Sequence, residues 1–335
     1  MTFTISEKTL PFDADRAISQ ITLSNGQLTI VVHDYGARIH QIYTPDRYGT
    51  FDNILLSKNN SETYANDEGY YGVICGPVAG RIAGATYGSI SLEANEGKNN
   101  LHSGSYGWER QFWSYEIFEE ETLKIVLSLE DKKSGIPGPI CAQVTYELNG
   151  SSLKVTISAK SPKATIFNPA WHPYFNLSGD KATIKNHYLQ MTTNQVVEVD
   201  EENIPTGKLL DVRGTVYDFQ KGGQLGEVLE NHPQGFDNCF LFNAMSNQRM
   251  LNLSEPVSGR QLTCVTDRQA VVIYTATNPE TLSVVNGRKM APNRGIAIEF
   301  QELPDLVHHP EWGSIALKSG EQKTFSTLYT FSVNK

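Results

Sequence analysis

The sequence has few cysteines and no cysteine pair at short spacing. Its four cysteines, Cys75, Cys141, Cys239 and Cys264, lie far apart in a chain of 335 residues. A zinc site or a dithiol redox site usually requires two cysteines a few residues apart, and a disulfide framework requires a denser set. The sequence therefore predicts neither kind of site, and we interpret the four thiols as mostly buried in a reducing compartment.

Basic residues and long apolar runs are also scarce. Lys and Arg number 28 against 37 Asp and Glu, so the net charge is −9 and the pI is about 5.4. A nucleic-acid surface needs a basic face, and we expect no such partner. No apolar run approaches the roughly 20 residues of a membrane helix, and the N-terminus lacks the basic and apolar segments of a signal peptide. We therefore expect a cytoplasmic protein without a membrane partner.

Several common catalytic motifs are missing from the chain. It contains no Walker A loop and no GxGxxG, GxSxG or HExxH pattern, which removes several large enzyme classes. His308 and His309 precede Pro310 and Glu311, but neighbouring side chains of an extended segment face opposite ways and suit one ion poorly. We expect a surface loop there, and neither a metal nor a cofactor in this protein.

Short strand-like runs separated by turn signals make up most of the sequence. Asp34–Ala37 is one such turn, and Asn149-Gly150 is typical of a tight hairpin. We find no long stretch with helical periodicity, and the sequence around Ser61–Asp67 is compatible with short helices. No linker or repeat divides the chain, so the pattern predicts one all-β domain over residues 1–335, a sandwich or a barrel. The predicted strands include Gln27–His33, Arg38–Tyr43, Leu123–Leu129, Ala142–Leu148, Leu153–Ala159, Gln261–Thr266, Ala270–Ala276 and Thr324–Val333.

The segment Gly295–Gln301 contains a carboxylate among strong core formers. Period-two alternation places Ile296, Ile298 and Phe300 on one face of a strand and Glu299 on the other face with Ala297 and Gln301. A carboxylate in such surroundings is a candidate for a raised pKa, which suits a general base. The alternative is a salt-bridged glutamate on a solvated face.

His172 lies in the most informative segment, Asn168–Gly179. It stands between Trp171 and Pro173, and the nearby prolines interrupt a regular strand ladder because proline lacks a backbone donor. An imidazole in this aromatic, irregular setting can donate a proton near neutral pH. A packed core histidine is the alternative interpretation.

Several ordered motifs across nearly the whole chain resemble those of the aldose 1-epimerase (galactose mutarotase) family. Each motif is weak alone, but their number and order make chance an unconvincing explanation. The matching segments are Asp34–Ala37, Gly76–Ile82, Asn100–Gly104, His172–Leu177, Val199–Gly207, Gly235–Phe240, Glu299–Gln301, Leu303–Asp305 and His309–Glu311.

The resemblance implies a fold, a reaction and a set of site residues. The fold is a large antiparallel β-supersandwich with a sugar cleft on one sheet, and the reaction is the cofactor-independent interconversion of the α and β anomers of a free hexose such as galactose or glucose. Carried over by motif, Glu299 is the general base and His172 the general acid. Arg81, His102 and Asp237 bind the monosaccharide. The resemblance leaves open whether the protein is a monomer or a homodimer.

The residues themselves allow other interpretations of these positions. Arg81 and Asp237 are suited to bind hydroxyl groups but also to form a structural ion pair, and His102 is suited to cap a turn. Trp108, Trp113 and Trp171 are candidates for an apolar face against the sugar, with core packing as the alternative for at least one of them.

The chain departs from the family pattern beside the expected binding residues. Trp171 precedes the histidine where the family often has Asn, Asn238 replaces a His, Gly80 replaces an Asn, and Pro77 replaces an Arg. These changes put the identity of the sugar in question more than the reaction.

Three alternative functions stay open. The first is a non-catalytic sugar-binding or regulatory protein, and the second is a phosphosugar epimerase, for which we see no basic cluster near the motifs. The third is a glycoside hydrolase or lyase, which would place two carboxylates across the cleft.

Overall fold

The computed structural model describes residues 2–244, 248–279 and 283–334 of the chain. Within these ranges, short antiparallel strands joined by turns form most of the structure, and α1 (Leu225–Asn231) is the one α-helix. The all-β prediction is confirmed. Short 3₁₀-helices occur at Ser61–Asn66, Ala83–Ala85, Trp108–Arg110, Ile184–Asn186 and Pro310–Trp312, the first of them where the sequence is compatible with short helices.

The strands vary from two to twelve residues in length. The first half of the chain contains β1 (Thr4–Pro11), β2 (Ala17–Ser24), β3 (Thr29–His33), β4 (Arg38–Pro45), β5 (Phe51–Asn53), β6 (Ile74–Cys75), β7 (Arg81–Ile82), β8 (Thr86–Tyr87), β9 (Ile90–Ser91), β10 (Asn100–Leu101), β11 (Ser114–Glu119), β12 (Leu123–Asp131), β13 (Ile140–Asn149), β14 (Ser152–Lys160) and β15 (Thr165–Ile166). The second half contains β16 (Ala170–Trp171), β17 (Tyr174–Phe175), β18 (Tyr188–Met191), β19 (Thr193–Val199), β20 (Pro205–Asp211), β21 (Gly223–Gln224), β22 (Asp237–Phe242), β23 (Arg249–Ser254), β24 (Arg260–Thr266), β25 (Ala270–Tyr274), β26 (Val284–Val285), β27 (Arg288–Lys289), β28 (Ile296–Gln301), β29 (Ala316–Leu317) and β30 (Gln322–Val333).

Three larger sheets enclose the apolar core. Strands β1 to β5 form a five-stranded sheet in sequence order, and nine strands form a second sheet in the order β11-β12-β13-β14-β30-β24-β23-β18-β21. The third sheet has the order β17-β28-β25-β22-β19-β20. One contiguous cluster of buried apolar side chains includes residues from all three sheets, such as Ile30, Val144 and Ile298. Burial of these side chains is the main force that holds the sheets together.

The hairpin between β13 and β14 shows how the local sequence produces this architecture. Asn149 pairs with Ser152 across the turn, and Gly150 has a φ of +57°, a conformation that glycine adopts without steric cost. Alternate residues along β13 are buried, so one face of the hairpin packs into the core. The hairpin predicted from Asn149-Gly150 is confirmed.

Strand β28 differs from this simple alternation because both of its faces are covered. Its apolar face belongs to the main core, as the alternation predicts, but Glu299 and Gln301 on the other face are buried too. Glu299 is only 4% exposed. The interpretation of Glu299 as a glutamate on a solvated face is therefore wrong.

The four cysteines are free thiols, as the sequence predicts. Cys75, Cys239 and Cys264 are buried, and Cys141 on β13 is exposed. In the part of the chain that the structure describes, no helix has the length and apolar character needed to cross a membrane.

Candidate active site

One face of the six-stranded sheet forms the floor of a cavity of about 360 Å³, within the range of small-molecule sites. Strand register explains which residues face it. Cys239 pairs with Val272, and Val272 pairs with Glu299, so these three side chains stand in a row across β22, β25 and β28. The neighbouring row contains Asp237 and Tyr274. All five residues line the cavity.

The interrupted strand around His172 places its imidazole above this floor. Two short ladders, β16 with β6 and β17 with β28, flank His172 and Pro173, and the backbone of His172 bonds instead to Val73 and Gly72. His172 is 5% exposed, and its Nε2 lies 3.3 Å from Oε1 of Glu299. The structure therefore brings together the two groups that the resemblance assigns to proton transfer.

Burial drives the pKa values of these two groups in opposite directions. Burial raises the pKa of the Glu299 carboxyl well above 4.5, and the charge of Asp237 adds to this effect while Arg81 reduces it. Burial lowers the pKa of His172 from 6.5 to about 4, against the opposing effects of a hydrogen bond with its own backbone and of the charge of Asp67. Burial therefore favours the neutral form of both groups in the sugar-free pair, a protonated carboxyl on Glu299 and an uncharged imidazole on His172.

His102 follows β10 in a strained turn. Both His102 and Ser103 have left-handed backbone conformations, with φ of +50° and +69°. Ser103 Oγ donates to the carbonyl of Val78 and accepts from its amide, which compensates this strain. The amide of Gly80 donates to Nδ1 of His102 at 3.1 Å.

This contact fixes the tautomer of His102. Burial, with His172 and Arg81, lowers the pKa of His102 well below 6.5, so its ring is neutral. Since Nδ1 accepts a hydrogen bond, the single ring proton is on Nε2. His102 lines the cavity and therefore presents a donor to a ligand there.

Arg81 lies between two carboxylates at the wall of the cavity. Its Nε and Nη2 donate to the two oxygens of Glu96 at 2.6 and 2.9 Å, and its Nη1 lies 3.6 Å from Oδ2 of Asp237. Nδ2 of Asn203 lies 3.5 Å from the same oxygen of Asp237. Burial raises the pKa of Asp237, and Arg81 opposes that effect.

All five residues predicted from the sequence, Glu299, His172, Arg81, His102 and Asp237, line this one cavity. They come from five separate segments of the chain, and no local pattern required them to meet. The ion-pair alternative for Arg81 and Asp237 is compatible with this arrangement, because their 3.6 Å contact lies at the cavity wall. The individual roles stay predictions.

Sequence reasoning missed three contributors to the cavity wall: Glu96, Tyr70 and the side chain of Gln301. Glu96 pairs with Arg81. Tyr70, with a φ of +53°, places its ring 4.5 Å from that of His102. Both polar atoms of the Gln301 amide are buried without a hydrogen-bond partner. The Glu-x-Gln motif was a signal for Gln301, whereas nothing local indicates Glu96 or Tyr70.

The tryptophans do not line the cavity. Trp108, Trp113 and Trp171 are each at most 3% exposed and belong to the main core. The alternative, core packing, holds for all three, and their candidate role as an apolar face for the sugar is wrong, because these large rings fill the space between the sheets. Four tyrosines take the place at the cavity wall: Tyr70, Tyr71, Tyr174 and Tyr274.

The adjacent histidines near the C-terminus have separate carboxylate partners. Nδ1 of His308 lies 2.7 Å from Asp305, and Nδ1 of His309 lies 3.1 Å from Glu311. Among the described residues, no group of three His, Cys, Asp or Glu side chains is arranged to hold a metal ion.

Comparison with known proteins identifies the class to which this fold and cavity belong. The solved structure of galactose 1-epimerase from Lactobacillus acidophilus superposes with a TM-score of 0.88 at 26% sequence identity and covers 100% of both chains. The architecture is therefore the galactose mutarotase-like β-supersandwich, as the resemblance implied.

Sequence comparisons give the family. The family model described as aldose 1-epimerase matches residues 19–330. Galactose mutarotase of Bos taurus is 30% identical over 332 residues, covering 97% of this chain and 96% of that protein. Aldose 1-epimerase of Streptococcus thermophilus is 32% identical, with 94% of each chain covered. The chain belongs to the aldose 1-epimerase family, whose members are isomerases.

Proposed function

We propose that the protein interconverts the α and β anomers of a neutral free hexose such as galactose or glucose, without a cofactor. Glu299 is the general base, His172 is the general acid, and Arg81, His102 and Asp237 bind the sugar. The observation that carries this proposal is the 3.3 Å contact between His172 Nε2 and Glu299 Oε1 inside the cavity. The names of the relatives, galactose mutarotase and aldose 1-epimerase, support the same reaction.

The proton shared by Glu299 and His172 is sufficient for the chemistry. Transfer of that proton from Glu299 to His172 gives a carboxylate and an imidazolium. The carboxylate then takes the proton of the C1 hydroxyl, the imidazolium protonates the ring oxygen, and the bond between C1 and the ring oxygen breaks. Rotation about C1–C2 and the reverse steps close the ring with the other configuration. Each positioned proton transfer contributes roughly 10²–10⁴-fold.

The binding residues supply complementary hydrogen-bonding groups around the ring. His102 donates from Nε2, which its contact with Gly80 leaves protonated. Asp237 keeps 39% of its side chain exposed and accepts from hydroxyl groups of the sugar. Arg81 offers hydrogen-bond donors from its guanidinium, which Glu96 holds in a fixed orientation. Such positioning adds to the rate because the reacting groups do not have to find each other in solution.

The same geometry disfavours the alternative functions. A binding-only protein has no need for a buried proton-sharing pair beside the sugar. A glycoside hydrolase relies on two carboxylates and leaves both cavity histidines without a role. A phosphosugar epimerase needs cations for the phosphate, yet the described lining of the cavity contains one guanidinium and four carboxyl groups. We therefore favour a neutral sugar.

Polarimetry of freshly dissolved α-D-galactose and α-D-glucose tests the proposal. We expect equilibration faster than the spontaneous rate for at least one sugar, with that acceleration abolished in Glu299→Gln and in His172→Asn. Glu119→Gln removes an exposed strand glutamate and should leave the rate unchanged. Wild-type protein that accelerates neither sugar, or a fully active Glu299→Gln variant, would contradict the proposal.

Several predictions concern the protein as a whole. We expect a single domain over residues 1–335, a monomer or homodimer, and a cytoplasmic location. No nucleic-acid or membrane partner is expected, and the partner of the protein is a monosaccharide. These stay predictions.

A further inference from the structure

We propose that Glu96 is a positioning residue that orients Arg81 and, by neutralising its guanidinium, makes the cavity select neutral sugars over anionic ones. The inference rests on the proposed role of this cavity as a sugar site and names the class of sugar that it accepts. It assigns a task to a residue that neither the sequence motifs nor the general acid and base require.

The turn that carries Glu96 is firmly held. The backbones of Glu96 and Asn99 bond to each other in both directions, at 3.1 and 2.9 Å. Nδ2 of Asn99 donates to Glu202 at 3.0 Å, and Lys98 lies 3.0 Å from the other oxygen of Glu202. The turn is therefore anchored to a second loop at the rim of the cavity, and its carboxylate has a defined position.

The contact between Glu96 and Arg81 has the geometry of a strong ion pair. Two parallel hydrogen bonds join the carboxylate of Glu96 to Nε and Nη2 of Arg81. In this bidentate arrangement the planar guanidinium and the carboxylate match in geometry. Arg81 is 18% exposed, whereas Glu96 is 38% exposed. Solvent screens the pair in part, but its bidentate form still fixes the plane of the guanidinium. Nη1 faces Asp237 and both of its hydrogens are unused by Glu96, so it is the nitrogen best placed to meet a ligand.

The charges of the cavity wall follow from this pairing. Arg81 is the one Arg or Lys among the described lining residues, and it faces the carboxylates of Glu96 and Asp237. Glu68 and Glu299 add two more carboxyl groups. A carboxylate or phosphate on a sugar therefore meets no cation that is free to receive it, and like charges in a concave site repel it.

Removal of the Glu96 charge should weaken this preference for neutral sugars. In Glu96→Gln the amide has no charge and cannot form an ion pair with Arg81. The positive charge of the Arg81 guanidinium is then no longer neutralised by Glu96, and a guanidinium in this state binds carboxylate or phosphate well. Glu68→Gln is the matched control. Glu68 lines the same cavity and is exposed, and it forms no hydrogen bond or ion pair to Arg81 in the described structure.

Calorimetric titration with D-galactose, D-glucose, D-galacturonate and D-glucose 6-phosphate measures the preference without relying on catalysis. We expect the wild-type protein to bind a neutral hexose more tightly than both anionic sugars. In Glu96→Gln the ratio of anionic to neutral affinity should rise by roughly tenfold, the size expected for one charge-assisted contact. This rise in the ratio should become smaller as salt is added, because salt screens the attraction between Arg81 and an anionic sugar. Glu68→Gln should change the ratio by about twofold at most, since an exposed charge is well screened.

A further variant separates charge from geometry. Glu96→Asp keeps the charge but shortens the side chain, so we expect it to bind neutral hexose more weakly while it still rejects the anionic sugars. Wild-type protein that binds galacturonate as tightly as galactose would overturn the inference, as would an equal change of ratio in Glu96→Gln and Glu68→Gln. Selective binding of neutral sugars without accelerated mutarotation would contradict the proposed reaction and leave the role of Glu96 intact.

Discussion

Nε2 of His172 and Oε1 of Glu299 lie 3.3 Å apart, and neither residue is more than 5% exposed. Two such groups cannot be treated as independent titrating sites, because each changes the charge that the other experiences. Burial favours the neutral form of both. We therefore expect the pair to share one proton, and the catalytic step then needs only a shift of that proton from one partner to the other.

The first prediction is a broad bell-shaped dependence of kcat/KM on pH. Binding of a second proton charges His172, whose pKa burial lowers to about 4, so activity should fall on the acid side near that value rather than near 6.5. Loss of the shared proton charges Glu299, whose pKa burial raises well above 4.5, so activity should fall on the alkaline side only well above that value.

Polarimetric kcat/KM measured across the stability range of the protein checks this profile. In Glu299→Gln the observed rate should equal the spontaneous rate at every pH, because the amide cannot accept the proton of the C1 hydroxyl. An acid fall near 6.5 would mean that His172 titrates as a solvated imidazole, and it would contradict the shared-proton pair.

The second prediction concerns Gln301, two residues beyond Glu299 on the same face of β28. Its amide oxygen and nitrogen are buried without partners, which costs stability in the sugar-free protein. Gln301→Met removes that cost at similar volume, so we expect stability unchanged or raised by about 1 kcal/mol. If sugar hydroxyls are the missing partners, the same variant should lose roughly tenfold in kcat/KM, about one hydrogen bond.

Gln111 provides the control for this test. Its amide nitrogen donates to the carbonyl of Tyr106 at 2.9 Å and to Oδ1 of Asp131 at 3.1 Å, and it lies outside the cavity lining. Gln111→Met should lower the urea midpoint and leave kcat/KM unchanged. If Gln301→Met behaved in the same way as Gln111→Met, the role of Gln301 would be structural.

Much of the fold could be predicted from local patterns. The hairpin at Asn149-Gly150 and the alternation of β28 depend only on turn chemistry and on the period of two, and both are found where they were expected. The burial of Glu299 could not be read in this way. It depends on segments that are distant from β28 in sequence, such as those that carry His172 and His102. These segments cover the second face of the sheet.

The site was predictable to the extent that it depends on ordered motifs. Motif order placed Glu299, His172, Arg81, His102 and Asp237 together, and all five line one cavity. The partners of these residues were not predictable, because they are set by tertiary contacts across the rim. The role of the tryptophans was left open for a related reason, since their size favours both core packing and ring stacking and the sequence does not choose between them.

The third prediction concerns Gly80, which holds His102 at two points. Its amide donates to Nδ1 of His102, and its carbonyl accepts from the amide of His102 at 3.0 Å. Gly80 has a φ of +76°, and a Cβ there would lie no closer than 3.6 Å to another side chain. Space is therefore available, and the backbone conformation is what requires glycine.

Gly80→Ala should destabilise the protein by about 1–2 kcal/mol, the cost of a left-handed alanine. It should also lower kcat/KM by roughly tenfold or more, because a small backbone shift moves the Nε2 donor of His102 away from the sugar. Gly88→Ala is the matched control, since Gly88 has a φ of +57° and nothing within 4 Å of an added Cβ. It should lose similar stability in urea denaturation and keep full activity. Equal activity in the two variants would show that the contact between Gly80 and His102 does not position the ring for catalysis.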